Sequence, residues 1–428
     1  MMTDVLLKSR NLFIERVKAR QEKIHEWLKA YEGSKELPLY SSVDIRDAGF
    51  KIAIVDTNIF PGGFNNLCEH GLEDAVKFIR EALIRRISGN CKNVLLIAEE
   101  HTRNTWYLEN IRILEEIIRK AGFNVKTATF LSIQPAFCEG TRFVELETAT
   151  KQSVRIYCLK RILEDFEAGL EQFCLIILNN DLTTGIPEIL KNAKQPIYPS
   201  IQAGWHSRLK SNHFTHTKNL MAEFAKIVEL DPWFFSCPFY AEDHININEE
   251  ADRKRLAQTA AKLFTEIEKK YKEHDIKEKP YVMVKADAGT YGMGVLPVEN
   301  PEDIISLNRK DKNKLYKGKS SQTIERYLLQ EGVPTIYNIE HEVSEVVIYQ
   351  IENNLVGGFY RSHAQKSDRE NLNTQGADFT KKICPRLSKY GDCGVRADMN
   401  IFDVYRILAR IAGIAAHREI IQLEAQKK

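Results

Sequence analysis

Residues 281–295 read YVMVKADAGTYGMGV, an apolar run that ends near Lys285 and passes directly into three glycines, Gly289, Gly292 and Gly294. Glycine reaches backbone angles that are closed to other residues, which lets main-chain N–H groups approach an anion, and the lysine adds a mobile positive charge. The stretch therefore predicts two strands joined by a glycine flap over the phosphates of a nucleotide. A purely structural hairpin is the alternative.

The order of these residues differs from that of the two commoner phosphate loops. A Walker loop ends in Gly-Lys-Ser/Thr, and a dinucleotide fold carries G-x-G-x-x-G at the start of a helix. The spacing here is G-x-x-G-x-G, and no G-x-G-x-x-G follows the first apolar run at Asp56. A dinucleotide oxidoreductase is therefore disfavoured.

Length and composition narrow the class of protein. The chain has 428 residues, which predicts two or three domains. Its 61 Lys and Arg against 59 Asp and Glu leave no general electrostatic argument for binding nucleic acid or an anionic membrane. We see no signal-peptide core and no run near the roughly 20 apolar residues of a membrane helix, so we expect a cytoplasmic protein. The eight cysteines lack C-x-x-C spacing, which predicts reduced, mostly buried thiols.

The pattern along the chain predicts an α/β fold. Apolar residues at helical spacing predict an amphipathic helix over 5–31. Short apolar runs then alternate with helical segments, which favours a largely parallel sheet covered by helices. These runs are 51–55, 94–98, 125–130, 154–158 and 174–178. Three of them end in polar residues, and ligands bind at the carboxyl ends of strands in such sheets.

The turn after the first run is a candidate amino-acid site. Residues 56–66 contain a carboxylate, three amides and two glycines, and the candidates are Asp56, Asn58, Asn65 and Asn66. The alternative is a capped polar loop, because Asn and Gly are ordinary turn formers.

Two arginines near strand ends, Arg46 and Arg103, are candidates for pairing with a substrate carboxylate through their planar guanidinium groups. Either could also be a surface arginine. Farther along, Lys210 and Lys218 are candidates for a second phosphate lysine, and Lys218 opens a predicted helix over 219–230. His206, His213 and His216 lack the compact spacing of a zinc site.

The C-terminal third adds three further elements. A predicted strand within 323–333 ends in a hinge at which backbone groups of Glu331 and Val333 would hydrogen-bond an adenine. Residues 345–351 and 354–361 alternate as a hairpin that ends in Arg361. A loop rich in oxygen ligands and amides follows at 371–378.

This order of elements resembles the ATP-grasp carboxylate–amine ligases, and in detail the proteobacterial glutamate–cysteine ligases. The phrases that carry the likeness are DAGFK at 47–51, VDTNIFPGGFNN at 55–66, the flap at 285–294, GGFYR at 357–361 and NLN at 371–373. The resemblance implies a mostly parallel α/β substrate-binding domain over 1–197, a connecting helical part over 198–280 and an ATP-grasp α+β module over 281–428.

The activity that the resemblance implies is ATP-dependent formation of γ-glutamylcysteine. ATP would convert the γ-carboxylate of glutamate into an acyl phosphate, which the amine of cysteine then attacks. Lys285 and Arg361 would be catalytic, and Lys285, the flap glycines, Glu331, Val333 and Lys218 would bind ATP. The expected partners are small molecules, and whether the chain forms a homo-oligomer is left open.

The sequence departs from the superfamily at the metal. Most members hold Mg²⁺ with an acidic residue and a Glu-x-Asn pair on strands after a late helix, whereas here only a predicted helix over 402–425 stands at that place. Asn371 and Asn373 are the metal candidates, with replacements among Asp378, Asp398, Asn400, Glu340, Glu342 and Glu345. Two alternatives therefore stay open: another acid and amine, as in glutathione synthetase, and an ATP-binding regulatory protein without turnover.

Overall fold

The computed structural model describes residues 4–31, 37–101, 103–130, 143–289, 294–316, 323–386 and 399–426. The strands are β1 (Tyr40–Asp47), β2 (Ile52–Asn58), β3 (Asn93–Ala98), β4 (Asn124–Thr129), β5 (Phe143–Glu147), β6 (Ser153–Cys158), β7 (Leu175–Asn179), β8 (Ile197–Tyr198), β9 (Phe239–Glu242), β10 (Val282–Ala286), β11 (Val295–Val298), β12 (Tyr327–Glu331), β13 (Tyr337–Ile339), β14 (Glu342–Ile351), β15 (Asn354–His363) and β16 (Asp378–Ile383).

The helices are α1 (Asp4–Ala19), α2 (Gln21–Lys29), α3 (Glu69–Arg86), α4 (Thr105–Lys120), α5 (Leu159–Glu167), α6 (Glu188–Lys191), α7 (Lys210–Val228), α8 (Glu250–Glu273), α9 (Glu302–Ile305), α10 (Arg309–Tyr316) and α11 (Met399–Ala425). The single helix predicted over 5–31 is two helices that meet at Arg20. Helix α7 begins eight residues before the predicted Lys218.

A central antiparallel sheet joins distant parts of the chain. Its strand order is β16-β15-β14-β1-β2, with β13 paired to β14. The prediction that the run at 51–55 belongs to the parallel sheet is therefore wrong, because β2 pairs antiparallel with β1 and β1 pairs antiparallel with β14. Strands from the two ends of the sequence share one sheet.

A second sheet confirms the parallel part of the prediction. Its order is β5-β6-β4-β3-β7-β8, and all neighbours are parallel except β5 and β6. The four other predicted runs form β3, β4, β6 and β7. The fold class is thus mixed α/β with several sheets.

A third sheet, β11-β10-β12-β9, carries the predicted flap. Strands β10 and β11 pair antiparallel, with Lys285 opposite Val295, as the sequence predicts. Gly289 and Gly294, at the two ends of the turn, have φ angles of +112° and +64°. These angles favour glycine and show why the turn needs it.

The central sheet is covered on both faces. Along β14, Val346 and Ile348 pack into a core with α11, while Val347 and Tyr349 pack into a second core with α3. The alternation follows from the two-residue period of a strand, and burial on both faces explains why β14 reads as an apolar run. The site residues on this sheet therefore sit on a rigid support.

One prediction about the cysteines is wrong. Cys91 and Cys174 form a disulfide with a Cα–Cα distance of 6.0 Å, whereas the sequence predicts reduced thiols. Their spacing in sequence, 83 residues, gives no signal; the pair meets because β3 and β7 are parallel neighbours. In the described part of the chain, none of the helices is long and apolar enough to cross a membrane.

Candidate active site

A cleft opens where β1 and β2 face the flap hairpin. Ten of the candidate residues named from the sequence line it, namely Arg46, Asp56, Lys210, Lys285, Gly289, Glu331, Val333, Glu345, Asn371 and Asn373. The space between the walls is about 70 Å³, below the roughly 300–1,000 Å³ of small-molecule sites. The space between the walls is therefore smaller than a nucleotide.

The face of β10 that lines the cleft changes from apolar to cationic. Tyr281, the residue before the strand, and Met283 and Lys285 within it all line the cleft, as a two-residue period requires. Val333 lines the cleft beside Tyr281, whose carbonyl accepts the N–H of Gly332 at 2.8 Å. The cleft thus has an apolar end suited to a base and a charged end suited to phosphates.

Lys285 is buried at the charged end. Its Nζ donates to the carbonyl of Val55 at 2.9 Å and to Oε1 of Gln330 at 2.7 Å. Burial lowers the pKa of Lys285 to about 8, although the nearby Asp56 carboxylate opposes the shift. The hydrogen-bond partners of Lys285 are a carbonyl and an amide, both neutral. An anion can therefore pair with the Lys285 ammonium group without breaking an existing ion pair.

Lys210, the first residue of α7, is the second lysine in the cleft. Its Nζ donates to Oδ1 of Asp56 at 2.6 Å. Burial alone would raise the pKa of Asp56, but the ammonium groups of Lys210 and Lys285 outweigh it and lower the pKa to about 2. Asp56 stays ionised, and its side chain is 40% exposed and so accessible to a ligand.

Lys218, which we predicted for this role, does not reach the cleft. It lies exposed on α7, eight residues beyond Lys210 and so about 12 Å farther along the helix axis. The prediction followed from placing the start of the helix too late.

Two arginines hold two carboxylates at the edge of the cleft. Arg361 donates to Asp44 at 2.6 Å and to Glu345 at 2.7 Å. Arg46 donates through Nε to Glu345. Burial would raise the pKa of Glu345, but Arg46 and Arg361 outweigh it and lower the pKa, while burial raises the pKa of Asp44.

Arg46 also fixes the loop that carries Asn371 and Asn373. Its two terminal nitrogens donate to the carbonyls of Asp368 and Glu370, each at 2.7 Å. Within the loop, Oδ1 of Asn371 accepts the N–H of Asn373 at 3.0 Å. Arg46, a candidate for pairing with a substrate carboxylate, thus has partners within the protein.

The hinge at Glu331 rests on a buried ion pair. The side chains of Glu331 and Lys51 are fully buried and paired, and the Lys51 ammonium also lies 4.1 Å from the centre of the Trp233 ring. The Glu331 N–H donates to the carbonyl of Pro238 at 3.0 Å. This N–H is therefore not available to donate a hydrogen bond to an adenine. Beside it, Nε2 of Gln330 is buried without a hydrogen-bond partner in the described part of the chain.

The other predicted amino-acid ligands have partners elsewhere. Asn58 accepts the N–H of Phe60 at 2.9 Å, and the side chains of Asn65 and Asn66 bond each other at 3.0 Å. Arg103 is exposed. These asparagines make local hydrogen bonds of the kind found in a capped polar loop, and their binding of an amino acid stays a prediction.

The alternative metal ligands are mostly engaged outside the cleft. Asp378, Glu342 and Glu340 all surround the Nζ of Lys381. Glu345 alone of that set lines the cleft. Asp398 and the flap residue Gly292 lie outside the described residues, as does the side chain of Asn400.

Over the ranges that the structure describes, one group of three His, Cys, Asp or Glu residues brings its ligand atoms within 4.8 Å of one another, Asp231, Glu273 and His274. The ammonium of Lys270 already lies 2.8 Å from both carboxylates. The three histidines whose spacing disfavoured a zinc site have separate partners: His206 contacts the carbonyl of Leu182, His213 lies beside Glu419, and His216 bonds Gln422 at 2.9 Å.

A buried ion pair supports the charged end from behind. Arg208 donates from Nε to Glu419 of α11 at 3.0 Å and from a terminal nitrogen to the carbonyl of Thr57 at 2.9 Å. This contact fixes the residue next to Asp56. Sequence reasoning missed Asp44, Lys51, Gln330 and Arg208, because their partners are distant in the chain.

A family model and a solved structure identify the family of this chain. The family model for glutamate–cysteine ligase, GshA, matches residues 15–420. A crystal structure from Methylobacillus flagellatus, of a protein assigned as a gamma-glutamylcysteine synthetase, is 34% identical with a TM-score of 0.84 over 99% of this chain and 98% of that one. A glutathione synthetase-like effector from Globodera pallida is 11% identical over 83% of this chain and 78% of its own, and its TM-score of 0.34 supports no argument. No curated protein matches significantly.

Proposed function

This chain belongs to the glutamate–cysteine ligase family, and we propose that the cleft between β2 and the flap hairpin is its active site. The enzyme is an ATP-dependent ligase that forms γ-glutamylcysteine from glutamate and cysteine. The observation that supports the location is that one cleft combines two lysines, four acidic residues and an apolar end.

The nucleotide fits the cleft in one direction. The base would lie at the apolar end, beside Tyr281, Met283 and Val333. The phosphates would then lie near Lys285 and Lys210, under the flap that begins at Gly289. On this basis we infer that the chain uses the ATP-grasp module that the sequence predicts.

Binding requires an exchange of partners. In the ligand-free protein, Lys210 neutralises Asp56 and Arg361 neutralises Asp44. When the phosphates take Lys210, the carboxylate of Asp56 loses its partner and becomes free to bind a cation. The charged end is therefore arranged to receive a nucleotide and a metal ion together.

The oxygen donors of the cleft fit Mg²⁺. The ion prefers hard oxygen ligands and keeps several waters, so one or two carboxylates together with substrate phosphates suffice. We assign Asp56 and Asp44 as the principal ligands, with Glu345, Asn371 and Asn373 in reach of the same cleft. When bound, Mg²⁺ would neutralise phosphate charge.

The protein's own residues account for the remaining steps. Lys285 and Lys210 hold the phosphates while the γ-phosphoryl passes to the γ-carboxylate of glutamate, and the amine of cysteine then displaces phosphate from the acyl phosphate. Positioning and electrostatic stabilisation provide most of the acceleration in phosphoryl transfer. The flap would exclude water, which would otherwise hydrolyse the intermediate.

A phosphate-release assay tests this function. Purified protein with MgATP should release phosphate with glutamate plus cysteine, and mass spectrometry should find γ-glutamylcysteine. Release only with γ-glutamylcysteine plus glycine would favour a glutathione synthetase activity. ATP binding without ADP formation under any pair would indicate a regulatory protein, and Lys285→Ala would then change affinity alone.

A further inference from the structure

Asp287 connects the two elements that carry the lysines of the cleft. Lys285 lies on β10, and Asp287 follows that strand directly. The N–H of Asp287 donates to the carbonyl of Arg326 at 3.0 Å, which continues the pairing of β10 with β12. Its carbonyl accepts the N–H of Lys210, the first residue of α7, at 2.7 Å. One residue thus contacts both the sheet of Lys285 and the backbone of Lys210.

The Asp287 carboxylate also caps helix α7. Leu209 occupies the N-cap position, and its side chain makes no capping hydrogen bond. Oδ1 of Asp287 accepts the N–H of Ser211 at 2.7 Å, and Oδ2 accepts the Ser211 hydroxyl at 2.7 Å. The first N–H groups of a helix lack partners within the helix, and a negative charge near them is favourable. Asp287 therefore provides, from the end of β10, the cap that Leu209 cannot provide.

A third partner fixes the orientation of this carboxylate. Nε of Arg326 donates to Oδ2 of Asp287 at 2.7 Å, and a terminal nitrogen of the same guanidinium donates to Asp243 at 2.9 Å. Asp287 is fully buried and is not among the residues that line the active-site cleft. It therefore cannot touch a nucleotide there, and it can act on one only through residues that it holds in place.

Lys210 is held at its backbone and at its side chain by different contacts. Its ammonium group donates to Asp56 at 2.6 Å and lies 4.8 Å from the centre of the Trp205 ring. A phosphate that binds this ammonium group would replace the contact with Asp56, whereas the backbone contact with Asp287 would persist. Asp287 thus sets the point from which Lys210 reaches the phosphates.

We propose that Asp287 is a positioning residue for nucleotide binding, which fixes the start of α7 against the end of β10 so that Lys210 and Lys285 meet the same polyphosphate. The inference rests on the proposed function, in which the cleft binds the phosphates of ATP. Accurate placement matters in such a site, because a displacement of about 1 Å can cost about 10²-fold in rate.

A double-mutant cycle on the Kd of MgATP, measured by isothermal titration calorimetry, tests the proposal. Asp287→Asn keeps the shape of the side chain, but its amide nitrogen must face a donor, either the N–H of Ser211 or the Nε–H of Arg326. Asp287→Asn and Lys210→Met should each raise Kd about tenfold or more. Because Asp287 acts through Lys210, adding Asp287→Asn to Lys210→Met should raise Kd by no more than about twofold further.

Glu115→Gln is the matched control. Glu115 is also buried, and its carboxylate also accepts a hydroxyl and an arginine, those of Thr127 and Arg119. It joins α4 to β4 in the parallel sheet and does not line the cleft. Glu115→Gln should therefore lower the melting temperature and leave the Kd of MgATP unchanged.

Ser211→Ala keeps the test decisive if Asp287→Asn does not fold. It removes only the hydroxyl donor, and its smaller rise in Kd should also disappear in the Lys210→Met background. Rises that multiply in the double variants would overturn the proposal, and so would a rise with Glu115→Gln equal to that with Asp287→Asn.

The cycle also separates this inference from the proposed function. Wild-type protein that binds MgATP but makes no γ-glutamylcysteine would contradict the proposed function alone, and the cycle would still decide the role of Asp287. Wild-type protein that binds no MgATP would overturn both.

Discussion

Asp44 and Asp56 lie directly opposite each other on the antiparallel strands β1 and β2, and Asn58 lies opposite Ser42 two residues on. Most members of the superfamily hold Mg²⁺ with an acidic residue and a Glu-x-Asn pair after a late helix. Asp44, together with Asp56 and Asn58 on the neighbouring strand, comes close to that pattern. In this chain these residues come before the rest of the module in sequence. They reach the module because β1 and β2 join the central sheet beside β14. On the proposed assignment of Asp44 and Asp56 to the metal, the departure would concern chain order alone.

Substituting Lys210 should impair catalysis, whereas substituting Lys218 should not. Lys210→Met removes a cation from the charged end, and loss of one such contact costs roughly 2.7–4 kcal/mol of transition-state stabilisation. We expect kcat/KM for ATP to fall about 10²–10³-fold. Lys218→Met, on the exposed face of the same helix, is the matched control and should stay near the wild type. Equal effects of the two changes would contradict the assignment.

The affinity for ATP should depend on pH through Lys285. Burial lowers its pKa to about 8, so the ammonium form dominates below pH 8 and is lost above it. KM for ATP should therefore be flat at lower pH and rise as the pH passes 8. Lys285→Arg keeps its charge throughout this range and should abolish the rise, whatever its absolute activity. A profile with the same break in both proteins would assign the titration to another group.

The carboxylates of Asp44 and Asp56 should determine the metal requirement. Removing Mg²⁺ with EDTA should abolish turnover. Asp56→Asn keeps the shape of the side chain but loses its charge, and should raise the Mg²⁺ concentration for half-maximal rate by roughly tenfold or more, a cost of about 1.4 kcal/mol. The control is Asp403→Asn on the surface of α11, for which a metal titration should superimpose on that of the wild type.

The buried pair of Lys51 and Glu331 should matter for stability. Lys51→Met leaves the Glu331 carboxylate buried without its partner, which costs about 3–5 kcal/mol. The double variant with Glu331→Gln should recover part of this loss, because it no longer buries a charge. Lys277→Met breaks an exposed pair with Asp275 and should cost less than about 1 kcal/mol. Urea unfolding of the four proteins checks the order.

The sequence predicted much of the fold because local patterns carry it. The hairpin of β14 and β15, the flap strands β10 and β11, and four strands of the parallel sheet follow from alternation and from apolar runs bounded by polar residues. The first strand, β1, was missed because only tertiary packing buries it on both faces. Local pattern also could not show that β2 belongs to the antiparallel sheet.

The residues of the site fall into the same two groups, those that a local pattern predicted and those that only the tertiary structure identified. Residues 281–295 by themselves determined the strand pairing that Lys285 and the glycines join, and they predicted a phosphate flap, because the backbone freedom of glycine and the charge of lysine are properties of the residues. Only the tertiary structure decided that Lys210 rather than Lys218 reaches the cleft, and that Asp44 and Asp56 face each other there. Helix start, sheet order and ion pairing depend on contacts between residues far apart in the chain, and a linear pattern contains no distance between them.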